Sequence, residues 1–293
     1  MMDDLERFWS DIFSEQPVLI AAAWALIDAA ERESVAAHLR SIAADPDRLP
    51  DQRRAASVAL STVSERPISR ILLASGSPRR RELVARLGLP FDITVSNVHE
   101  TPQPGEDPAA MVVRLSRDKA RSAQPANHPT NQLTHYSTIV LSADTTVCLD
   151  GEALGKPRDA AEARSMLTRL RGRSHQVYTA ITLIDTATGR EVADLASTDV
   201  PMRSYSDDEI ETYLASGDPF DKAGGYAIQH GGFNPVENLR GCYANVVGLP
   251  LCHVTRSLRA LGIEPPADVP SACQAHLNYS CPVFRSILAA QPT

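Results

Sequence analysis

The chain has 293 residues, of which 43% are hydrophobic and 22% are charged, and its formal net charge is −7. These values are typical of a globular protein with a sizeable core, and the acidic balance argues against a nucleic-acid partner, because nucleic-acid surfaces concentrate basic residues. The sequence has no apolar run of membrane-spanning length and starts with acidic residues where a signal peptide would be basic, so we expect a cytoplasmic protein without a membrane segment.

Residues 1–66 predict a small helical appendage, because they are rich in Ala, Leu, Glu and Arg. Helical composition covers three stretches: 18–30, 32–43 and 51–63. Pro and Asp residues over 45–51 predict a turn, and Pro67 ends the last helix before the first strand. The helices are compatible with a lone solenoid-like repeat or with a packing arm. The lack of periodic self-similarity favours the packing arm, and its partner is unknown.

Residues 67–263 predict one α/β domain, because short apolar runs alternate with helices that have recognisable caps. The candidate strands are 71–74, 91–95, 138–142, 147–149, 176–184 and 191–201. Helices are predicted to start at Asp107-Pro108, at Asp159 with Glu162, and at Ser206 with Glu209, the last two as capping boxes. The pair Asp150-Gly151 predicts a hairpin turn, and residues 124–135 predict an exposed loop.

Residues 264–293 predict an irregular C-terminal tail with one terminal helical turn, because prolines interrupt it repeatedly. The odd number of five cysteines favours free thiols over a disulfide framework. The tail carries Cys273, His276 and Cys281, and Cys252-His253 lies upstream. These residues are either zinc ligands with loosely fitting spacing or docked, reduced thiols.

A phosphate site is predicted where the strand 71–74 passes into a helix, since residues 75–81 read Ser-Gly-Ser-Pro-Arg-Arg-Arg. Ser77 is a suitable N-cap and Pro78 suits the first helical position. Three arginines in a first helical turn are electrostatically unfavourable unless an anion lies nearby. An exposed basic helix start is the alternative.

Two later segments carry further charged side chains that suit a ligand site. Asp144 follows the apolar run 139–141, and a carboxylate at the carboxyl end of a buried strand lies where α/β sheets bind ligands. A turn cap is the equally acceptable alternative for this residue. Lys156 follows Gly155 in a turn before a helix, where its ammonium can reach a phosphate, although the P-loop spacing is absent.

A glycine-bearing loop over 221–229 ends in Gln229, whose amide can donate and accept at the edge of a base. Glu100 and Lys119 taken alone are ordinary surface charges. Together with the arginines, Lys156 and Asp144, they fit a polyphosphate nucleotide with a divalent cation, Mg²⁺ or Mn²⁺. No G-x-S-x-G element is present, which argues against an acyl-transfer hydrolase.

The chain resembles the Maf family of nucleoside triphosphate pyrophosphatases over residues 70–262. Six ordered motifs carry the resemblance: Ala-Ser-Gly-Ser-Pro-Arg-Arg (74–80), Ser-Ala-Asp-Thr (142–145), Gly-Lys-Pro (155–157), Gly-Arg-Ser-His-Gln-Val (172–177), Asp-Lys-Ala-Gly-Gly-Tyr-Ala-Ile-Gln (221–229) and Val-Val-Gly-Leu-Pro (246–250). The resemblance implies a Maf-like, inosine triphosphatase-like α/β fold, with two lobes around a mixed sheet, a central cleft and a homodimer. It also implies metal-dependent hydrolysis of a nucleoside triphosphate to the monophosphate and pyrophosphate.

The resemblance also implies roles for individual residues. Asp144 would be the proton acceptor that activates water, and Glu100 and Lys119 would be catalytic cleft residues, with Glu100 and Asp144 holding the metal. The phosphate ligands would be Ser75, Arg79, Arg80 and Lys156. Gln229 and Thr145 would lie near the base and the metal. The intact Ser-Pro-Arg-Arg run resembles the branch that acts on dTTP and UTP, which also suggests modified pyrimidine nucleotides and nucleotide-pool housecleaning.

Two departures from the family pattern bear on base selectivity. His230 stands where a glycine normally follows the glutamine, and residues 233–236 replace a more hydrophobic stretch. Neither the appendage nor the tail has a counterpart in the minimal family. A nucleotide-binding regulator of cell division, with hydrolysis secondary, is therefore the alternative function.

Overall fold

A bundle of helices forms the N-terminal unit of the chain, and a mixed sheet flanked by helices forms the second unit. The computed structural model describes residues 2–64, 70–124 and 138–292. The first of these ranges belongs to the N-terminal unit and the other two to the second. The expected boundary at Pro67 and almost all of the expected loop 124–135 lie outside the described residues.

Over residues 2–64 the N-terminal unit has four helices: α1 (Met2–Ile12), α2 (Pro17–Ala25), α3 (Ala29–Ala44) and α4 (Pro50–Ser64). Their small apolar core includes Ile12, Ile20 and Leu39. The predicted stretch 18–30 is wrong as one helix, because Asp28 caps a new one. Its carboxylate accepts the Glu31 N–H, and Glu31 in turn accepts the Asp28 N–H, both at 2.8 Å. Helix α1 was not predicted.

The sheet of the second unit has six strands: β1 (Arg70–Ala74), β2 (Phe91–Thr94), β3 (Thr138–Leu149), β4 (Glu152–Leu154), β5 (Ser174–Asp185) and β6 (Glu191–Pro201). Their order is β2-β1-β3-β5-β6, and β4 pairs with β3 alone. Strand β1 runs parallel to β2 and β3, whereas β3, β5 and β6 are antiparallel, so the sheet is mixed. Asp150 and Gly151 both have positive φ in the predicted turn between β3 and β4.

One expectation about the sheet is wrong in a way that matters for Asp144. Two strands were predicted, over 138–142 and 147–149, but β3 continues without interruption because β5 pairs with it from Ile139 to Cys148. Asp144 therefore lies inside a strand, opposite Ala180, and cannot cap a turn. The parallel pairing of β3 with β1 ends at Leu141, so Asp144 still lies just beyond the carboxyl end of β1.

Eight helices accompany the sheet in the described part of this unit: α5 (Pro78–Val84), α6 (Pro108–Ser122), α7 (Ala160–Leu170), α8 (Asp207–Ala215), α9 (Tyr243–Val247), α10 (Leu251–Ala260), α11 (Val269–Leu277) and α12 (Phe284–Ala289). The caps predicted at Ser77, Asp107 and Ser206 are confirmed. Asp159 accepts the Glu162 N–H, but the Glu162 carboxylate binds the Arg158 N–H, so the predicted capping box is only half formed.

Two apolar clusters form most of the core of the second unit. One gathers around β1 and α10 and includes Ile71, Leu141 and Leu258. The other packs α7 and α8 against the far part of the sheet and includes Leu167 and Tyr213. The second unit is one compact body by its contacts, so the division into two lobes stays a prediction.

The tail expected to be irregular over 264–293 instead contains two helices, because its prolines fall at a helix start and in connecting segments. Pro270 lies in the first turn of α11, where its missing N–H costs nothing, and Asp268 caps that helix. The buried Val269 packs into the first apolar cluster. Arg256 of α10 donates to the carbonyl of Ile287 at 3.2 Å, which attaches α12. No helix within the described ranges is long and apolar enough to span a membrane.

A buried ion pair anchors α10 to β6, and it generates a stability prediction. Arg256 Nε and Nη2 each donate to Asp194 at 2.6 Å, and the Asp194 side chain is 0% exposed. Arg256→Met should lower the free energy of unfolding by about 3–5 kcal/mol, because it leaves a carboxylate buried without its cation. Chemical denaturation measures this change.

Arg259→Met is the matched control, one turn away on the same helix. Arg259 pairs with Glu264 at 2.6 Å, but these side chains are 44% and 64% exposed, so the expected loss is about 1 kcal/mol or less. Equal losses in the two variants would contradict the importance of the buried pair.

Candidate active site

A single cleft in the second unit collects every site residue that the sequence singled out. Its volume is about 640 Å³, within the range of small-molecule sites. The nine residues are Ser75, Arg79, Arg80, Glu100, Lys119, Asp144, Thr145, Lys156 and Gln229. Side chains of both apolar clusters complete the walls, among them Val147 and Val247.

The centre of the cleft is a lysine between two carboxylates. Lys119 comes from the last turns of α6, and its Nζ lies 2.6 Å from Asp144 Oδ1 on β3 and 2.6 Å from Glu100 Oε1 in the loop after β2. Lys119 and Asp144 are each 7% exposed, whereas Glu100 is open to solvent. A buried ammonium with a buried carboxylate beside it requires this pairing, because either charge alone would be expensive to desolvate.

The electrostatic surroundings shift the pKa values of the two carboxylates in opposite directions. Burial raises the pKa of Asp144 above its ordinary value, against the opposing effects of Lys119 and Arg80. Burial also disfavours ionised Glu100, but its hydrogen bond to Lys119 and the charges of Lys119, Lys156 and Arg80 hold the pKa of Glu100 below its ordinary value. Asp144 is therefore the more basic of the two carboxylates.

Arg80 is held in place by the protein on three sides. Its Nε donates to the Gly248 carbonyl at 2.8 Å, one terminal nitrogen donates to Ser75 Oγ at 3.3 Å, and the other donates to Thr145 Oγ1 at 2.9 Å. Since a guanidinium has five N–H donors, two remain for a ligand. Burial lowers the pKa of Arg80, and Asp144 acts in the opposite direction.

A hydrogen-bonded chain continues from Arg80 into the sheet. Thr145 Oγ1 and Thr179 Oγ1 are 2.9 Å apart, and Thr179 donates to the carbonyl of Asn245 at 3.0 Å. Because Thr179 uses its proton on that carbonyl, Thr145 must donate to Thr179 and accept from Arg80. The direction of each bond is therefore fixed, and the position of Arg80 depends on β3, β5 and α9 together.

Arg79 has a different environment from its neighbour. Its Nη1 lies 3.5 Å from Asp221 Oδ2, and the two side chains are 30% and 65% exposed. An ion pair of this length and exposure is weak. Arg79 can therefore exchange Asp221 for another anion, whereas Arg80 is fixed.

The remaining predicted ligands lie at the rim. Lys156 is exposed and forms no ion pair with any described residue, so its charge is available. Gln229 is exposed at the end of the glycine-bearing loop. That loop is tied to the turn carrying Lys156, because Gly224 N–H donates to the Gly155 carbonyl at 3.0 Å. A side chain at Gly224 would meet Val147, and φ there is +69°, so the sharp bend needs glycine.

The two departures from the family pattern have structural explanations. His230 packs edge-on against Tyr213 with ring centroids 4.7 Å apart, and its Nδ1 accepts the Phe233 N–H at 3.0 Å. Phe233 itself stacks on Tyr213 at 4.3 Å. Both residues thus support the turn behind Gln229, and neither is among the described residues that line the cleft.

Sequence reasoning assigned no site role to Asp221 and Lys222, which are among the polar residues that line the cleft. Both belong to the 221–229 motif, but nothing in that motif indicates that Asp221 would reach Arg79. Lys222 is 8% exposed and binds Asp218 and Asp221, so it supports the loop. Tyr226 also lines the cleft. Its hydroxyl lies 2.8 Å from Nε2 of the buried His175, and burial lowers the pKa of His175 to about 4.

A divalent cation fits the donors at the centre of the cleft. The carboxylates of Glu100 and Asp144 both contact one cation, the ammonium of Lys119. Carboxylate oxygens are the hard ligands that Mg²⁺ prefers. The described residues contain no group of three or more His, Cys, Asp or Glu that could hold a metal ion. Two carboxylates are nevertheless what Mg²⁺ usually takes from a protein when substrate phosphates supply further oxygens.

The second unit is similar in sequence to known proteins. The family model described as Maf-like protein matches residues 70–261. A dTTP/UTP pyrophosphatase of Citrifermentans bemidjiense is 43% identical over 194 residues, covering 66% of this chain and 96% of that protein. A dTTP/UTP pyrophosphatase of Syntrophotalea carbinolica is 45% identical over 194 residues, covering 66% and 86%. That of Salinibacter ruber is 47% identical over 191 residues, covering 65% and 90%.

Among solved structures, the Staphylococcus aureus Ham1 protein matches with 14% identity and a TM-score of 0.33, covering 46% of this chain and 72% of that one. A likeness of this size carries no argument about the site.

Proposed function

The chain belongs to the Maf family, and from this premise we propose that it hydrolyses dTTP and UTP to the nucleoside monophosphate and pyrophosphate. The observation that carries the proposal is the Asp144–Lys119–Glu100 cluster, which lies in one cleft with the phosphate-binding arginines. Such a reaction removes these nucleotides from the nucleotide pool, and modified pyrimidine nucleotides are further substrates that we propose.

Asp144 is the proposed base. Lys119 binds Oδ1, so Oδ2 is the oxygen left to accept a proton from the attacking water. The water oxygen bonds to the α phosphorus, the bond from that phosphorus to the α–β bridging oxygen breaks, and pyrophosphate leaves with the electron pair of that bond, while the proton of the water passes to Asp144. The raised pKa of Asp144 suits this step, because a more basic carboxylate takes the proton more readily.

The cations divide the work of binding the triphosphate. Arg80 offers two N–H groups from a fixed position, and Ser75 lies beside it. Arg79 breaks its ion pair with Asp221 and binds a phosphate instead. Lys156 contributes its ammonium at the rim of the cleft. These groups offset the charge that develops on the leaving phosphate.

Mg²⁺ or Mn²⁺ is the proposed cofactor, held by Glu100 and Asp144 together with phosphate oxygens. When bound, the metal neutralises phosphate charge and polarises the attacked group. Lys119 stabilises both carboxylates when no metal is bound, and its contacts with both make it a proposed catalytic residue alongside Asp144 and Glu100. Gln229 reads the base edge from the rim, with Thr145 near the metal.

A nucleotide-binding regulator of cell division is the alternative, with the N-terminal unit as its partner-binding module. A regulator that only binds has no need of a buried base paired with a lysine, so the cluster favours catalysis. The homodimer implied by the family resemblance remains a prediction.

Asp144→Asn is the direct test of the reaction. With Mg²⁺ or Mn²⁺ and a panel of nucleoside triphosphates, the unaltered chain should release pyrophosphate fastest from dTTP or UTP. The variant should lose at least about a hundredfold in kcat, because its amide accepts no proton, while calorimetry finds nearly unchanged nucleotide binding.

The control is Asp199→Asn, the same change on β6, where Asp199 accepts a hydrogen bond from Gln176 outside the cleft. It should leave turnover unchanged. Equal loss of turnover and binding in Asp144→Asn would refute the role of the base. Binding without release from any nucleotide by the unaltered chain would favour the regulator.

Arg79→Ala tests the phosphate site. Removing the guanidinium should raise KM for dTTP by about tenfold to a hundredfold, the value of a hydrogen bond to a charged group. Arg81→Ala is the control, because Arg81 lies two residues further along α5, is exposed, and is not among the described residues lining the cleft. Equal effects of the two variants would mean that only general positive charge is involved.

A further inference from the structure

Two fully buried polar residues lie behind Arg80 without reaching the cleft. Thr179 is on β5 and Asn245 is on α9, and both residues are 0% exposed. Neither is among the described residues that line the cleft. Burying a hydroxyl or an amide is unfavourable unless hydrogen bonds compensate for the lost water. The partners of these two side chains therefore indicate what they do.

Thr179 is one residue removed from the guanidinium of Arg80. It lies directly opposite Thr145 in the antiparallel pairing of β3 with β5, and the two hydroxyl oxygens are 2.9 Å apart. Thr145 Oγ1 in turn accepts a hydrogen bond from Arg80 at 2.9 Å. A side chain outside the cleft is thus connected to a cation inside it.

The hydroxyl of Thr179 determines which way the Thr145 hydroxyl points. Thr179 has one proton and donates it to the Asn245 carbonyl at 3.0 Å, so its oxygen offers Thr145 only lone pairs. Thr145 must then donate to Thr179 and turn its own lone pairs toward Arg80. Without the Thr179 hydroxyl, the proton of Thr145 is free to turn toward Arg80, where two donors would face each other.

Asn245 fixes the carbonyl on which this chain ends. Its Nδ2 donates to the Val177 carbonyl on β5 and to Thr198 Oγ1 on β6, both at 2.9 Å, so α9 is attached to two strands. The Asn245 carbonyl also accepts the Gly248 N–H at 3.0 Å, and the Gly248 carbonyl accepts Arg80 Nε at 2.8 Å. Asn245 therefore supports two of the groups that hold Arg80.

A buried threonine on β5 is not by itself a sign of function, as Thr182 shows. Thr182 is also 0% exposed, and its Oγ1 lies 2.5 Å from Ser116 Oγ on α6. Neither Thr182 nor Ser116 is among the described residues that line the cleft. The connection to Arg80 is what distinguishes Thr179 from this second buried hydroxyl on the same strand.

We propose that Thr179 and Asn245 are positioning residues that hold the Arg80 guanidinium where its two remaining N–H groups meet the triphosphate. The inference rests on the proposed role of Arg80 in binding phosphate. A guanidinium that is already in place loses less freedom when a phosphate binds, so its hydrogen bonds contribute more to affinity.

Thr179→Val tests the proposal, because valine has nearly the same shape and lacks the hydroxyl. Calorimetry measures the affinity for a dTTP analogue whose α–β bridge is a methylene group, which cannot be cleaved there. The affinity should fall by about threefold to tenfold, the contribution of one hydrogen bond, and KM for dTTP should rise accordingly. Thr179→Ser, which keeps the hydroxyl, should restore most of the affinity.

Thr182→Val is the matched control and should leave the affinity and KM unchanged. Chemical denaturation of both valine variants separates a loss of stability from a loss of affinity. Thr179→Val should fold, because the Asn245 carbonyl keeps its hydrogen bond from the Gly248 N–H. Asn245→Leu should weaken binding as well, and Thr179→Val decides the question where Asn245→Leu does not fold.

A second pair of variants shows whether Thr179 acts through Arg80. In an Arg80→Ala background, adding Thr179→Val should weaken analogue binding no further, because the group that Thr179 positions is gone. The same loss with and without Arg80 would overturn the proposal. An affinity in Thr179→Val equal to that in Thr182→Val would do so too, as would a Thr179→Ser variant as weak as Thr179→Val.

The experiment separates this inference from the proposed hydrolysis. If the unaltered chain binds the analogue but releases no pyrophosphate from any nucleotide, the hydrolysis is refuted, while the analogue affinities of the variants still decide the role of Thr179. Absence of analogue binding by the unaltered chain would overturn the phosphate-binding role of Arg80 and this inference with it.

Discussion

A buried lysine must have negative partners, and in this protein that requirement organises the active cleft. Lys119 extends from α6 into the cleft. Its Nζ lies 2.6 Å from a carboxylate oxygen of Asp144 on β3 and 2.6 Å from one of Glu100 after β2. The arrangement needs β3 to continue past the end of β1, because only then does Asp144 project beyond the parallel part of the sheet. The mixed topology of the sheet is therefore what places Asp144 where it can pair with Lys119.

The two neighbouring arginines illustrate how the same residue type serves two purposes. Arg80 is fixed by Gly248, Ser75 and a directed chain of hydroxyl groups that ends at a backbone carbonyl. Such preorganisation makes a charge available without reorganisation when a phosphate binds. Arg79 is held only by an exposed carboxylate at 3.5 Å and is free to change partners. A rigid and an adaptable cation therefore lie side by side at the start of one helix.

Local patterns predicted much of this structure, and long-range pairing decided the rest. The Ser77 cap, the Asp150-Gly151 hairpin and the Ser206 capping box depend on near neighbours in the sequence, and all three are confirmed. The continuity of β3 depends on pairing with β5, a strand distant in the sequence, whereas the polar residues after 141 taken by themselves predict a strand end.

The site itself was predicted by residue type and family resemblance, and the cleft contains all nine residues. Their roles remain proposals. The contact between Arg79 and Asp221 could not be predicted, because it joins segments that only the fold brings together. The same holds for the cysteines: spacing suggested a Cys/His zinc set, whereas the helical tail brings Cys273 and Cys281 to Cys242 and Cys252.

The central claim is that Lys119 keeps Asp144 ionised as the base of the reaction. The most direct measurement is the pH dependence of kcat/KM for dTTP in the unaltered chain, Lys119→Arg and Lys119→Met. The charge and hydrogen bond of Lys119 oppose the effect of burial on the pKa of Asp144, so their loss raises that pKa further. The base acts only when ionised, above its pKa, so the acid limb of the profile should move to higher pH in Lys119→Met and stay nearly unchanged in Lys119→Arg. An acid limb at the same pH in all three proteins would contradict the account.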